Sequence, residues 1–431
     1  MLKVLQTIFN VAVTSLYLFP FEFSSLPGVN TKMMLAALGL LILFFKTVNK
    51  RALVIDRIFW HVSFLACLVS LTGLCSVVYN GTSDYSYASY IVSAWVWLGG
   101  AYAICSLLDF THGRVTFPLL CAYLTAVCIT QCALAIAIDL NRPFKLLVDM
   151  YVQQGQDFLN SYKVERLYGI GASLDVAGSR FAAVLVMISC MLCDRSHEKR
   201  WYHYLLYILS FVVLTVAGDM IARTTLIGTV IGIVYMTVAS WDGIVRLSDS
   251  YLRLLKWFAV VVLFCIPVVT YFYNTVPQVE KNIRFGFEGF FSLAEKGRWE
   301  VSSNEKLMKT MIVYPDKTRT WIIGDGYFEN PDKVDPHYVG PVYKGFYKDT
   351  DVGYLRFIFY FGLAGLAVFS FFIVRTGLYC MARLPEWKLM ITFLLALNFI
   401  VWFKVSTDIF LVFALLFCIP AEKAGDGLKE N

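Results

Sequence analysis

Twelve apolar runs, most of them close to 20 residues long, decide what this chain can fold into. A helix needs about 20 apolar residues to cross the roughly 30 Å hydrocarbon layer of a bilayer. A window of that length predicts spans near 4–20, 32–48, 58–79, 86–108, 115–139, 176–194, 202–218, 223–240, 254–275, 352–375, 388–403 and 405–420. With 58% of 431 residues hydrophobic and 16% charged, no soluble core could bury the apolar surface. The expected fold is an all-α polytopic membrane protein. The net charge of +6 is modest and diffuse, which gives no reason to expect a nucleic-acid partner. All eleven Cys fall in apolar segments and read as small buried hydrophobes rather than as a disulfide framework or a metal site. Met1, Leu2 and Lys3 lead an apolar run to Leu18 with no small-residue cleavage site after it, so an uncleaved first span is expected.

Charge divides the connections. Lys46, Lys50, Arg51 and Arg57 form one basic set, and Arg195, Lys199 and Arg200 a second. Arg246, Arg253 and Lys256 form a third, and Arg375, Arg383 and Lys388 a fourth. They alternate as cytoplasmic connections should, which places both termini in the cytoplasm. The opposite side then receives a short polar turn at 80–85 and two long segments, 140–175 and 276–351. The chain thus divides into spans 1–5 (residues 1–139), an external loop (140–175), spans 6–9 (176–275), an external domain (276–351), spans 10–12 (352–420) and a cytoplasmic tail (421–431). Lys404 and Asp408 interrupt a nearly continuous apolar run between the last two spans, where a re-entrant hairpin is the competing reading.

The 276–351 segment is the most informative. Between Glu280 and Asp349 it carries eleven Lys or Arg and eleven Asp or Glu. Apolar residues at helical spacing (Ile283, Phe287, Phe290, Phe291; then Leu307, Met311, Ile312, Tyr314) predict a folded helical domain. Its later stretches, IIGDGYFENPDK and PHYVGPVYKGFYKD, are rich in Gly, Pro and aromatics, as an irregular surface that stacks on sugar rings would be. Arg180 and Arg223 sit at expected external span starts, and Arg284 and Arg298 in the external domain. A guanidinium forks onto phosphate oxygens and stays charged where water is scarce, so a cluster at this depth suits a lipid-linked phosphate or diphosphate.

Several stretches together resemble the superfamily of O-antigen ligases and Wzy-type O-antigen polymerases. GDMIARTTLIG is similar to its arginine-containing helix start, and KGRWEVSSNEKLMKTMI followed by WIIGDGYFE is similar to its external loop. DTDVGYLRFIFYFGLAGLAVF resembles the closing helix with a Gly-x-x-Gly break, and ERLYGIGASLDVAGSRFAAVL the upstream loop leading into a helix. The resemblance covers roughly residues 160–375. It implies a GT-C-like glycosyltransferase of the bacterial inner membrane, about twelve helices with a large periplasmic loop domain, acting at the periplasmic face. The donor would be a glycan on undecaprenyl diphosphate, the acceptor a second glycan, with chain-length regulator and flippase proteins as partners and no cofactor. Arg223 and Arg298 match the donor diphosphate arginines, with Arg284 and Arg180 as further candidates, and Tyr354, Tyr327 and Trp299 are candidate glycan platforms. Ligases carry His then Asn just before the Tyr-Leu pair of the closing helix; here Asp351 and Val352 stand there, which points to polymerase rather than ligase.

Chemistry alone asks for two functions: stabilising a departing diphosphate and removing a proton from an acceptor hydroxyl. Arginines supply the first. Asp351 is the candidate base, with Asp349 as its rival and helix capping by Asp351 as the competing role. Asp349 and Asp351 also spell Asp-x-Asp, a metal-holding pattern in enzymes that use nucleotide sugars, but an external site favours no metal. A lipid-linked glycan flippase and a non-catalytic envelope docking protein are the alternatives from other classes.

Overall fold

The computed structural model describes residues 2–50, 56–153, 166–194, 201–242, 246–247 and 249–420. The expected tail at 421–431 and the basic residues Arg51, Arg195, Lys199 and Arg200 lie outside these.

Every predicted span contains a helix. They are α1 (Leu2–Leu18), α2 (Thr31–Lys50), α3 (Arg57–Asn80), α4 (Tyr90–His112) and α5 (Phe117–Leu140), then, after a short α6 (Arg142–Tyr151), α7 (Leu174–Cys193), α8 (Trp201–Ile221), α9 (Thr225–Ala239) and α10 (Asp249–Thr275). The 276–351 segment holds α11 (Pro277–Gly286), α12 (Glu288–Lys296), α13 (Ser302–Lys306), α14 (Thr318–Ile322) and α15 (Pro331–Val334); α16 (Gly353–Arg383), α17 (Lys388–Val401) and α18 (Phe410–Cys418) close the chain. Among the described residues, α2, α3, α4, α5, α7, α8, α10 and α16 are long and apolar enough to cross a membrane. The protein is therefore an all-α polytopic membrane protein. α18, at nine residues, rises only about 13 Å.

Sequence sets the helix ends. Asp56 caps α3 by accepting from the Ile58 amide (3.2 Å), and Gly81 ends it in the left-handed conformation at φ 65°. Thr116 caps α5 at the Leu119 amide. Small residues then let helices approach closely, Gly39 of α2 on Gly99 of α4 and Gly228 of α9 on Ala182 of α7. α7 is the central pillar: every residue from Ala177 to Leu192 is buried. α10 is its opposite, with most described side chains exposed.

The bundle has two unlike ends. At one, Arg383 reaches Asp56 (2.9 Å) and the Ile419 carbonyl, and Trp387 packs on Phe117. The other carries the long loops. Two devices fasten the external segment there. Asp84, in the short α3–α4 turn, accepts from the Phe328 and Glu329 amides at 2.7 and 2.8 Å. α16 also breaks at Phe361–Gly362, and the freed carbonyls of Phe359 and Tyr360 accept from the Asp325 and Gly326 amides and, at Tyr360, from Ser76 Oγ.

Gly362 lies at φ 67°, ψ −173°, a region open essentially to glycine, and a Cβ there would collide with the Ile322 carbonyl. Gly362→Ala is expected to cost roughly 3 kcal/mol, whereas Gly81→Ala, with nothing near its Cβ, costs about 1 kcal/mol. Thermal unfolding of the two purified variants checks the ordering.

Candidate functional site

The carboxylates before α16 have different surroundings. Asp349 adopts a left-handed φ of 52° and accepts from the Gly345 amide at 2.9 Å, so it holds its own turn and is otherwise exposed. Asp351 does not cap α16. The N-cap is Val352, and Thr350 Oγ1 accepts from the Val352 amide. Asp351 makes no hydrogen bond or ion pair among the described residues, and burial pushes its carboxyl above the ordinary range, opposed by Arg356 and reinforced by Asp175.

The four candidate arginines do not form one cluster, although Arg223 and Arg284 line a common cavity of about 540 Å³ with Glu288, Glu295 and Glu300. Arg223 occupies the three-residue turn between α8 and α9. Its Nε donates to the Phe285 carbonyl (3.0 Å), one terminal nitrogen to Ser303 Oγ (3.0 Å), and the other pairs with Glu288 (2.7 Å). The Phe285 ring lies 4.2 Å from the guanidinium. Arg284 is on the surface of the external domain, paired with Glu280 and Glu295. Arg298 is exposed in the α12–α13 turn. Arg180 sits nearly two turns into α7, because that helix begins at Leu174, earlier than the expected start at 176. Asp175, Gly178 and Ala182 mark the face of α7 toward α9, and Arg180 points about 200° away from Gly178.

Residues the sequence reading did not single out complete the charge around Arg223. Between α17 and α18 the chain unwinds over 402–409, and Lys404 reaches Asp175 (3.4 Å) and Thr224 Oγ1 (3.4 Å). The Thr224 hydroxyl also donates to Asp175. Arg166 stands over Phe285 at 5.1 Å, within electrostatic reach of Asp175, Asp351 and Arg223. Asp219, at the end of α8, is fully buried, and neither oxygen has a hydrogen-bond partner among the described residues. Three cations, Arg166, Arg223 and Lys404, thus stand among four carboxylates, Asp175, Asp219, Asp351 and Glu288. Lys404 left a visible signal as a charge interrupting an apolar run; Arg166 and Asp175 are inside the stretch ERLYGIGASLDVAGSRFAAVL and Asp219 inside GDMIARTTLIG.

Arg223, Lys404, Asp219 and Trp299 line one end of a cavity of about 440 Å³ whose remaining wall is largely apolar, from Leu226, Ile227, Val230 and Ile231 of α9 to Ile400 of α17. Through Phe287 and Phe290 it adjoins an apolar groove of about 680 Å³ between α8, α9 and the outlying α10. Polar at one end and apolar along its length, this surface matches an amphiphile with an anionic head. Trp299, half exposed and edge-on to Phe290, contributes to its wall. The hydroxyls of the other two candidate platforms are committed: Tyr354 donates to the Phe399 carbonyl and Tyr327 to Asp335. Tyr327 lines a separate polar cavity of about 290 Å³ with Tyr347, Asp325 and Arg319.

Arg356 fastens the site. It is sandwiched between the Phe328 and Phe346 rings (3.7 and 3.4 Å), donates to Ser406 Oγ (2.6 Å) and the Phe328 carbonyl (3.0 Å), and pairs with Glu329. One side chain therefore ties the external loop, α16 and the unwound stretch together. No family description, curated protein or solved structure matches the chain.

Arg356→Met is expected to lose on the order of 3 kcal/mol of local stability, since two charge-assisted bonds vanish and Glu329 loses its ion-pair partner. Amide exchange across 326–349 should then quicken by about two orders of magnitude, and Arg356→Lys should not restore it.

Proposed function

We propose that the protein is a membrane-embedded glycosyltransferase that joins polyprenyl-diphosphate-linked oligosaccharide repeat units into O-antigen or capsular polysaccharide at the periplasmic face of the bacterial inner membrane. The observation that carries this reading is the lateral apolar groove that ends at Arg223 and Lys404. A lipid diphosphate entering from the bilayer would lay its isoprenoid chain along α9 and α10 and meet cations at headgroup depth. Twelve membrane crossings in a GT-C-like arrangement, with both termini in the cytoplasm, belong to the same proposal.

In this reading the two cations, with Arg166 beside them, stabilise charge as the anomeric carbon separates from the diphosphate oxygen. Arg223 is held in place by Phe285 and Ser303 and shifts its ion pair from Glu288 to the phosphate. Asp351 accepts the proton of the acceptor hydroxyl, which bonds to the anomeric carbon. A carboxylate with no hydrogen-bond donors and a raised pKa is suited to that role, and Asp351 in the position of the ligase histidine favours polymerase over ligase.

In a deletion strain the expected glycan profile is a single repeat unit on the lipid A core without a ladder. Long glycan retained on the carrier lipid beside a bare core would mean a ligase instead. Arg223→Ala is expected to reduce polymer by at least about 100-fold and Asp351→Asn by 10²–10⁴-fold, on the order seen for loss of a general base, both at unchanged abundance. Normal ladders with either variant would refute the assigned roles.

Asp351 also sets a pH signature. Its folded-state pKa is raised, so the ionised form is penalised in the native protein; the penalty is present above that pKa and disappears as pH falls through it. Asp351→Asn should therefore unfold at the same or a higher temperature than wild type at pH 7 while losing activity. The acid limb of the wild-type pH–rate profile should lie above the ordinary Asp value of about 3.9.

A further inference from the structure

Arg180 is 6% exposed, yet it makes no hydrogen bond or ion pair to any described residue, and its Nε is buried without a partner. Its guanidinium lies 5.8 Å from the Trp97 ring and 5.9 Å from that of Phe19. Lys32 at the start of α2 also lacks a hydrogen bond or ion pair among the described residues, and its Nζ sits 4.6 Å from the same Trp97 ring. Two cations on one indole repel each other, and isolated charges in low-dielectric surroundings are costly. The one carboxylate in electrostatic reach of both is Asp408, whose Oδ1 is taken by the Phe410 amide at the start of α18. Glu22 lies within electrostatic reach of Lys32 alone, so Arg180 has only Asp408 near it among these carboxylates.

We infer that Arg180 and Lys32 form a second anion-binding site, separate from the Arg223 end of the groove, that takes one singly charged phosphodiester unit. That charge supplies the ion pair that the buried Arg180 lacks among the described residues. The guanidinium fork and the ammonium supply the charge-assisted donors such a group needs, and Trp97, Phe19 and Tyr17 supply aromatic walls. Arg180 projects from the face of α7 opposite the one that meets α9, so the two sites lie on either side of that helix. The unwound 402–409 stretch connects them, with Lys404 on the Arg223 side and Asp408 on the Arg180 side. The site does not depend on the glycosyl-transfer reading, and its test has no activity readout.

The full-length protein in a maltoside detergent, which contains no phosphate, is titrated with dimethyl phosphate or with phosphatidylglycerol, both singly charged phosphodiesters, and unfolding is followed by tryptophan fluorescence. Saturable stabilisation is expected with at least one probe. Binding of both assigns the site to the phosphodiester group alone, and binding of only the phosphatidylglycerol assigns it to a lipid headgroup. Arg180→Gln and Lys32→Gln should each weaken the response by at least about tenfold, the loss of one charge-assisted contact. Arg223→Gln should leave the dimethyl phosphate response, or the component sensitive to Lys32, within about twofold of wild type. No saturable response, wild-type behaviour in both Arg180→Gln and Lys32→Gln, or an equal loss in Arg223→Gln would overturn the inference. Where Arg180→Gln fails to fold, Lys32→Gln, at a partly exposed position, decides.

Discussion

An ionised side chain or an unpaired amide placed in hydrocarbon costs several kcal/mol, and the loop-bearing half of this structure is organised around that cost. The chain leaves helical geometry after Val401, and protein groups meet the freed backbone. Asn398, fully buried, accepts from the Ile409 amide; Asp408 accepts from that of Phe410; the Trp402 carbonyl accepts from the Tyr354 amide; and Ser406 takes a bond from Arg356. Non-helical backbone is tolerated at membrane depth only when protein or a cavity receives it. Here it is received on both sides, and it presents Lys404 to one charge cluster and Asp408 to another.

The 276–351 segment depends on the same logic. Its loops carry many charges and little apolar core of their own, so they gain order by lending donors to carbonyls and carboxylates that the membrane helices expose. The break at Gly362 frees carbonyls that the 325–326 turn satisfies, and Asp84 takes two amides from the 328–329 turn. Arg356 then closes the arrangement from within α16. Positions that look like surface loop in isolation are thereby tied to helices several turns below.

Much of the fold was legible because hydropathy and length operate locally: all twelve apolar runs became helices, with ends displaced by a few residues. The last two were not legible as they stand, because the Asn398 and Arg356 contacts that stabilise the unwound stretch join residues 11 and 50 positions apart in sequence. Site residues divided in the same way. Arg223 was visible as a cation at a span edge, and Asp351 as an acid before a helix. Lys404, Asp175 and Arg166 came together only through packing. Of the four arginines read as one cluster, Arg180 separates because a helix rotates 100° per residue, a turn that sets it behind α7, whereas Arg223 and Arg284 line one cavity.

The central claim is that the charges around Arg223 and Asp351 serve transfer of a lipid-linked glycan. The most direct measurement supplies purified protein in lipid with polyprenyl-diphosphate-linked repeat units alone and follows product length. The account predicts products grown by whole repeat units with release of polyprenyl diphosphate, lost in Asp351→Asn protein that remains folded. Unchanged substrate with the wild-type protein, or equal elongation by Asp351→Asn, would contradict it.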